Sequence, residues 1–219
     1  MRTVSVLNTR YGRSMETEPN ADGHPKPDLD WTQALAGQLD GHWQRQFRPR
    51  LAGLSDDEYF WEPVPGCLSI RRRGESHGPA TAGAGEFVME DVAQGTDPPP
   101  VTTIAWRLAH ITVGCLAAPA SRHFGGPPAD YDTFEYAGTA VRALEQLDGA
   151  YSAWIHGVWG LGADGLASPC GPAYGPYADE PMSALILHYN REVIHHGAEI
   201  ALLRDLYQWR TRNEAGDDL

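Results

Sequence analysis

Cysteine is scarce in this chain, three among 219 residues, and Cys67, Cys115 and Cys170 lie far apart with no Cys-x-x-Cys pair. That spacing builds neither a disulfide framework nor a thiolate zinc knuckle. Cys115 follows an apolar helical run and reads as core, while Cys67 and Cys170 fall in Pro/Gly-rich stretches, where a structural role is the simpler reading. Positive charge is short as well: 17 Lys and Arg against 29 Asp and Glu leave a formal net charge of −12. A surface of that sign repels a phosphate backbone and argues against nucleic-acid binding. The local exception, Arg71-Arg72-Arg73, reads as a short loop cluster rather than a recognition face. No run approaches the roughly 20 consecutive apolar residues that span a bilayer, and the N-terminus lacks an uninterrupted apolar signal core. The expectation is a soluble cytoplasmic protein without a membrane partner. Its length suits one domain with a real core.

What the chain does have is a long stretch from Pro181 to Trp209, with no internal proline, that reads as one helix, with Gly197 as its weak point. On a 3.6-residue repeat His188, Glu192, His195, His196 and Glu199 fall within about 100° of one another. Leu185 precedes them and Leu202, Leu203 and Leu206 follow, so the polar cluster interrupts an apolar stripe. Three imidazoles and two carboxylates on an inward face call for partners. Residues four apart stack on a helix, so Glu192 and His196 can bind one borderline divalent cation together. The alternative is a solvated helix face.

The rest of the chain supplies helices for this one to pack on. Residues 1–28 have no period and read as an extension. Asp30 caps a first helix with Leu35, Leu39, His42, Trp43, Gln46 and Phe47 inward, ended by Pro49 and Gly53. Ser55 opens a short turn. Residues 67–100 are too rich in Gly and Pro for a helix; 67–70 and 86–89 are strand-like, and the segment reads as a lid with a short hairpin. Thr102 or Thr103 caps a second helix running to Phe124, with Trp106, His110, Val113 and Leu116 or Ala117 on one face. A lone inward His is usually a hydrogen-bonded core residue; His110 is a ligand candidate because the last helix lacks partners. A third helix over 139–159 buries Leu144, Leu147, Tyr151 and Trp154 or Ile155, and a second long loop over 161–180 follows. The expected fold is all-α, a four-helix bundle over 29–210 with long loops after helices one and three and a polar tail over 211–219.

Three pieces, WRLAHI (106–111), GPAYGPYADEPM (171–182) and LHYNREVIHHGAEIALLRDLY (187–207), resemble the DinB-like metal-binding four-helix bundles over about residues 30–209. Members generally carry a His on helix two and a His-x-x-x-His pair on helix four. Here the pair begins with Glu192, a departure similar to the branch of mycothiol-dependent maleylpyruvate isomerase. The resemblance implies His110, Glu192 and His196 as ligands of a divalent metal, with zinc favoured, in a site that keeps an open position. It also implies an S-transferase that joins a low-molecular-weight thiol cosubstrate, such as mycothiol or ergothioneine, to an electrophilic small molecule. The alternatives are a thiol-dependent cis-trans isomerase of the maleylpyruvate type and a non-catalytic metal-binding stress protein with His188 or His195 as a fourth ligand. Around the ligands, His195 and Glu199 are placed to orient them or move a proton. Trp106, Arg107, Arg191, Tyr174 and Tyr177 are the substrate-binding candidates, the arginines for a carboxylate or for an acid of their own protein. Monomer and homodimer both remain open.

Overall fold

The computed structural model describes residues 29–91 and 96–216; the expected N-terminal extension and residues 217–219 of the expected tail lie outside the described residues. Four long helices form the bundle. Helix α1 runs from Trp31–His42 through a π-helical stretch, Trp43–Phe47, into Arg48–Arg50. After the single turn α2 (Asp56–Tyr59) and a small sheet comes α3, built from Ile104–His110, a second π-helical stretch Ile111–Ala117, and Ala118–Phe124. Helix α4 is Ala140–Trp159, α5 the short Ala163–Ala167, and α6 Met182–Gly216. Both α1 and α3 pack against α4 and α6.

The starts of these helices are set by side chains that satisfy free N–H groups. Asp30 accepts from the Gln33 N–H, Ser55 from Glu58, Thr103 from Trp106 and Thr139 from Arg142. Each π-helical stretch precedes a proline by two residues, Pro49 and Pro119. Proline has no N–H and crowds the carbonyl four residues back. In both cases that carbonyl, Arg45 or Cys115, lies within the wide turn, which relieves the contact and lets α3 continue to Phe124.

The rotation of α6 differs from the expected one. Ile186, Val193 and Ile200 have no exposed surface, and Tyr189, Asn190, Leu203 and Arg204 are buried beside them. Leu202 and Leu206, expected inside, are 59% and 47% exposed. The seven-residue recurrence 186-193-200 takes the core, which puts Leu202 and Leu206 on the far side and leaves Glu192 and His196 on its flank. Buried polar groups hold this setting. Asn190 donates to the Leu35 carbonyl at 2.9 Å, and Arg204 makes a two-pronged pair with Glu58 at 2.7 and 2.9 Å. Gly197 is less a weak point than a fit: a Cβ there would stand 3.0 Å from the Phe47 ring. On α1, Gln46 is exposed and His42 half-buried rather than both inward. Helix α6 also runs six residues into the expected tail.

The segment over 67–100 makes more than a hairpin. Strands β1 (Ile70–Arg72), β2 (Ala80–Ala82) and β3 (Phe87–Asp91) form an antiparallel sheet in the order β1-β3-β2, with Ile70 opposite Met89 and Ala82 opposite the same residue. Strand β2, Ala-Thr-Ala, carries no strand signature of its own. The arginine run is spoken for: Arg71 pairs with Glu62 and Glu90, Arg72 with Glu86, and Arg73 donates to the Gly83 and Gly85 carbonyls. Glu90, 1% exposed, organises the sheet by accepting from the backbone of Ser69, His77 and Gly78, from Ser76 Oγ and from Arg71. Its own carbonyl accepts from Trp106 Nε1 at 2.7 Å, tying the sheet to α3.

Burial alone would raise the Glu90 pKa, but the N–H donors outweigh it and hold the carboxyl below its ordinary 4.5. A depressed folded pKa contributes stability that is full above the unfolded value and lost as pH falls through the folded one. Glu90→Gln is therefore expected to cost about 1–3 kcal/mol at pH 7. In urea titrations repeated down to pH 3, the gap between variant and parent should close as the pH drops.

Candidate metal centre

His110 is the last residue of the regular first segment of α3, and the π-helical stretch begins immediately after it. Such stretches recur at functional sites because they re-aim the side chains around them. Across the interface, Glu192 and His196 are one turn apart on the flank of α6 that faces α3. Their ligand atoms and one of His110 all lie within 4.8 Å of one another. The His110 and His196 rings meet edge to face, centroids 4.8 Å apart, and His196 Nε2 is 3.6 Å from a Glu192 oxygen.

Each imidazole is held by the nitrogen it turns away. His110 Nδ1 is 2.8 Å from the Tyr131 hydroxyl, and His196 Nδ1 is 2.7 Å from Glu199 Oε2. When these nitrogens donate, both Nε2 atoms carry the free lone pair. Glu199 is fixed in turn by Arg107 Nε at 2.9 Å, while the same guanidinium donates to the Thr102 carbonyl and hydroxyl. This is the arrangement by which outer groups fix tautomer and ring orientation at a metal. It gives Glu199 and Arg107 supporting places.

The electrostatics keep the donors ready. Burial, reinforced by neighbouring His196, pushes His110 down to about 4 against the opposing pull of Glu192 and Glu199, so its imidazole is neutral at pH 7. Glu199 would be raised by burial, but Arg107 and His196 hold it below the ordinary carboxylate value. Burial pushes the Cys115 thiol up to about 12, with Glu192 adding to it; its sulfur lies 3.8 Å from His110 Nε2 as a protonated core thiol. Two imidazoles and one carboxylate suit a borderline divalent ion.

The structure thus brings together His110, Glu192 and His196, with Trp106, Arg107 and Glu199 next to them. His195 is 62% exposed and lies 3.5 Å from Glu199 Oε1. With His196 and Glu199 it forms a second close group, but Glu199 is already engaged by Arg107 and His196, so that group is the outer layer of the first. Arg191 is 69% exposed and donates to His188 Nδ1 above the outer oxygen of Glu192. Tyr174 is turned to His123 Nε2 at 2.9 Å with Arg122 over its ring, and Tyr177 is 65% exposed. Neither tyrosine is held at the cluster by these contacts.

Sequence reasoning missed Tyr131. It sits in the connection between α3 and α4, where no periodicity marks it, and stacks on His110 while Trp106 stacks on the same ring. The available signal was Gly114, one turn after His110: a Cβ there would come within 2.0 Å of the Tyr131 hydroxyl. A cavity of about 330 Å³ adjoins the cluster, walled by Ala82, Met89 and Asp91 of the sheet and by Trp106, His110, Tyr131 and Asp132.

Comparison with known sequences places this architecture. A family model described as the DinB superfamily matches residues 38–200, which takes in all three converging residues. The chain belongs to the DinB superfamily. No curated protein and no solved structure matches it. As a DinB-superfamily bundle it carries a candidate His/Glu metal group between its second and fourth long helices, and no described helix is long and apolar enough to cross a membrane.

The Tyr131 contact can be removed in two ways. Tyr131→Phe deletes the hydroxyl, and Gly114→Ala displaces it. Both are expected to weaken zinc binding about 10- to 100-fold in competition with a chromogenic chelator. Helicity by circular dichroism should stay at the parent value.

Proposed function

We propose that this protein is a metal-dependent S-transferase that joins a low-molecular-weight thiol to an electrophilic small molecule, in the branch of the superfamily similar to mycothiol-dependent maleylpyruvate isomerase. The observation that carries the reading is the convergence of His110, Glu192 and His196 beside a cavity of substrate size. Three protein donors, two of them imidazoles, are the set found at catalytic zinc sites, where a further position is left for a reactant.

A divalent ion held by these three residues supplies the Lewis acidity that converts a bound thiol, of ordinary pKa about 8.5, into its nucleophilic thiolate at neutral pH. The chain's own groups do the rest. Tyr131 and Glu199 fix the rings of His110 and His196, and Arg107 fixes Glu199. Trp106 and Met89 give the cavity an apolar wall against which the electrophile packs. In the transfer, a sulfur–carbon bond forms and the leaving group departs with its electron pair. The thiol proton passes to solvent, with exposed His195, beside Glu199, as its carrier.

Zinc is the favoured ion, and mycothiol and ergothioneine are representative of the thiol class. An isomerase of a small diacid would use the same ligands but would draw on cationic side chains, and Arg107 is committed to Glu199 and Thr102.

The test is elemental analysis of tag-free protein beside Glu192→Ala, followed by a panel of thiols with a chromogenic electrophile. Expected are about one equivalent of metal in the parent alone and turnover, at least 100-fold above the variant, with a subset of the thiols. Metal without turnover by any thiol would shift the reading to an isomerase or a binding protein.

A further inference from the structure

The cavity beside His110 has a polarity that the metal centre does not require. Its described lining contains two carboxylates, Asp91 and Asp132, two aromatic rings, Trp106 and Tyr131, the apolar Ala82 and Met89, and no Lys or Arg. Arg107, one turn before His110, points the other way, into its pair with Glu199, and Arg191, next to Glu192, is turned to His188 and Glu192. A ligand with a carboxylate would therefore meet acid and π-faces on entering. One with a cationic head would meet opposite charge at Asp132 and the indole of Trp106, the strongest aromatic partner for a cation.

We propose that this cavity binds a positively charged organic group, an alkylammonium, carried by a substrate of the site. Three independent features converge on it. The cavity, about 330 Å³, has the size for a small head group. Trp106 is rigidly presented, held by its Nε1 bond to the Glu90 carbonyl at 2.7 Å and by its stack on His110. The Asp132 carboxylate enters the same space from the connection between α3 and α4. Asp132 is exposed at the edge of the cavity, where it adds attraction without being buried as an uncompensated charge. The head group then lies on the His110 side of the cluster, and the reactive end of the same molecule reaches the three donors.

Calling the occupant a substrate rests on the transferase reading; the charge preference does not. The test uses the zinc-loaded full chain and two probes of equal shape, choline and its neutral isostere 3,3-dimethylbutanol, titrated by calorimetry at low salt into the parent and into Asp132→Asn. Choline is expected to bind at least 10-fold more tightly than the isostere, and Asp132→Asn should reduce that ratio to about threefold or less while metal content stays at the parent value. Equal affinity for the two probes, no binding of choline, or an unchanged ratio in Asp132→Asn would overturn the inference. A parallel titration of thiocholine against 2-mercaptoethanol and 3-mercaptopropionate ranks the thiols. Preference for choline without any thiol binding would leave the cation pocket standing and remove the transferase. Thiol turnover with no charge preference would do the reverse.

Discussion

The rotational setting of α6 is the constraint on which the rest depends. Ile186, Val193 and Ile200 repeat every seven residues and are wholly buried, so the helix cannot turn by one residue, about 100°, without exposing all three. Asn190 and Arg204 lock the same phase with buried polar bonds to α1 and to Glu58. Removing either partner of the Arg204–Glu58 pair would leave a charge buried and unpaired, which makes such a contact a strong register device. With that phase fixed, Glu192 and His196 fall on the flank facing α3, where His110 meets them.

Around the three donors, the protein builds outward in layers that each restrict the one before. Tyr131 and Glu199 decide which nitrogen each imidazole presents, Arg107 and Thr102 decide where Glu199 lies, and Gly114 leaves the space Tyr131 needs. The small sheet is part of the same construction. Glu90 gathers its loops, its carbonyl pins Trp106, and Met89 and Asp91 on the same strand wall the cavity. A segment that looks like an irregular insertion between two helices thus supplies one face of the pocket.

How much of this was legible follows from which signals are local. Helix starts were readable at Asp30 and Ser55, and at Thr103 to within one residue, because one side chain and one N–H within three residues decide them. The cluster of Glu192 and His196 was readable because helical spacing alone puts them together, and His110 joined them through its motif. The exact phase of α6 was not: Leu202 and Leu206 fit an apolar stripe as well as Ile200 and Leu203 do, and only packing against α1 and α3 chooses between them. Strand β2 was silent because Ala80-Thr81-Ala82 becomes a strand by pairing with β3. The choice between the two readings of Arg107 was open for a related reason. A guanidinium near a ligand can serve substrate or protein, and the acid that claims Arg107, Glu199, lies 92 residues away in sequence.

The most direct test of the account is X-ray absorption at the zinc edge of the metal-loaded protein, recorded without and with a bound thiol. Two imidazole nitrogens and a carboxylate oxygen with no sulfur are predicted at first, and one sulfur at about 2.3 Å after thiol is added. Sulfur in the thiol-free spectrum would mean that Cys115 completes a closed site, and a shell without imidazole would mean that His110 and His196 do not hold the ion.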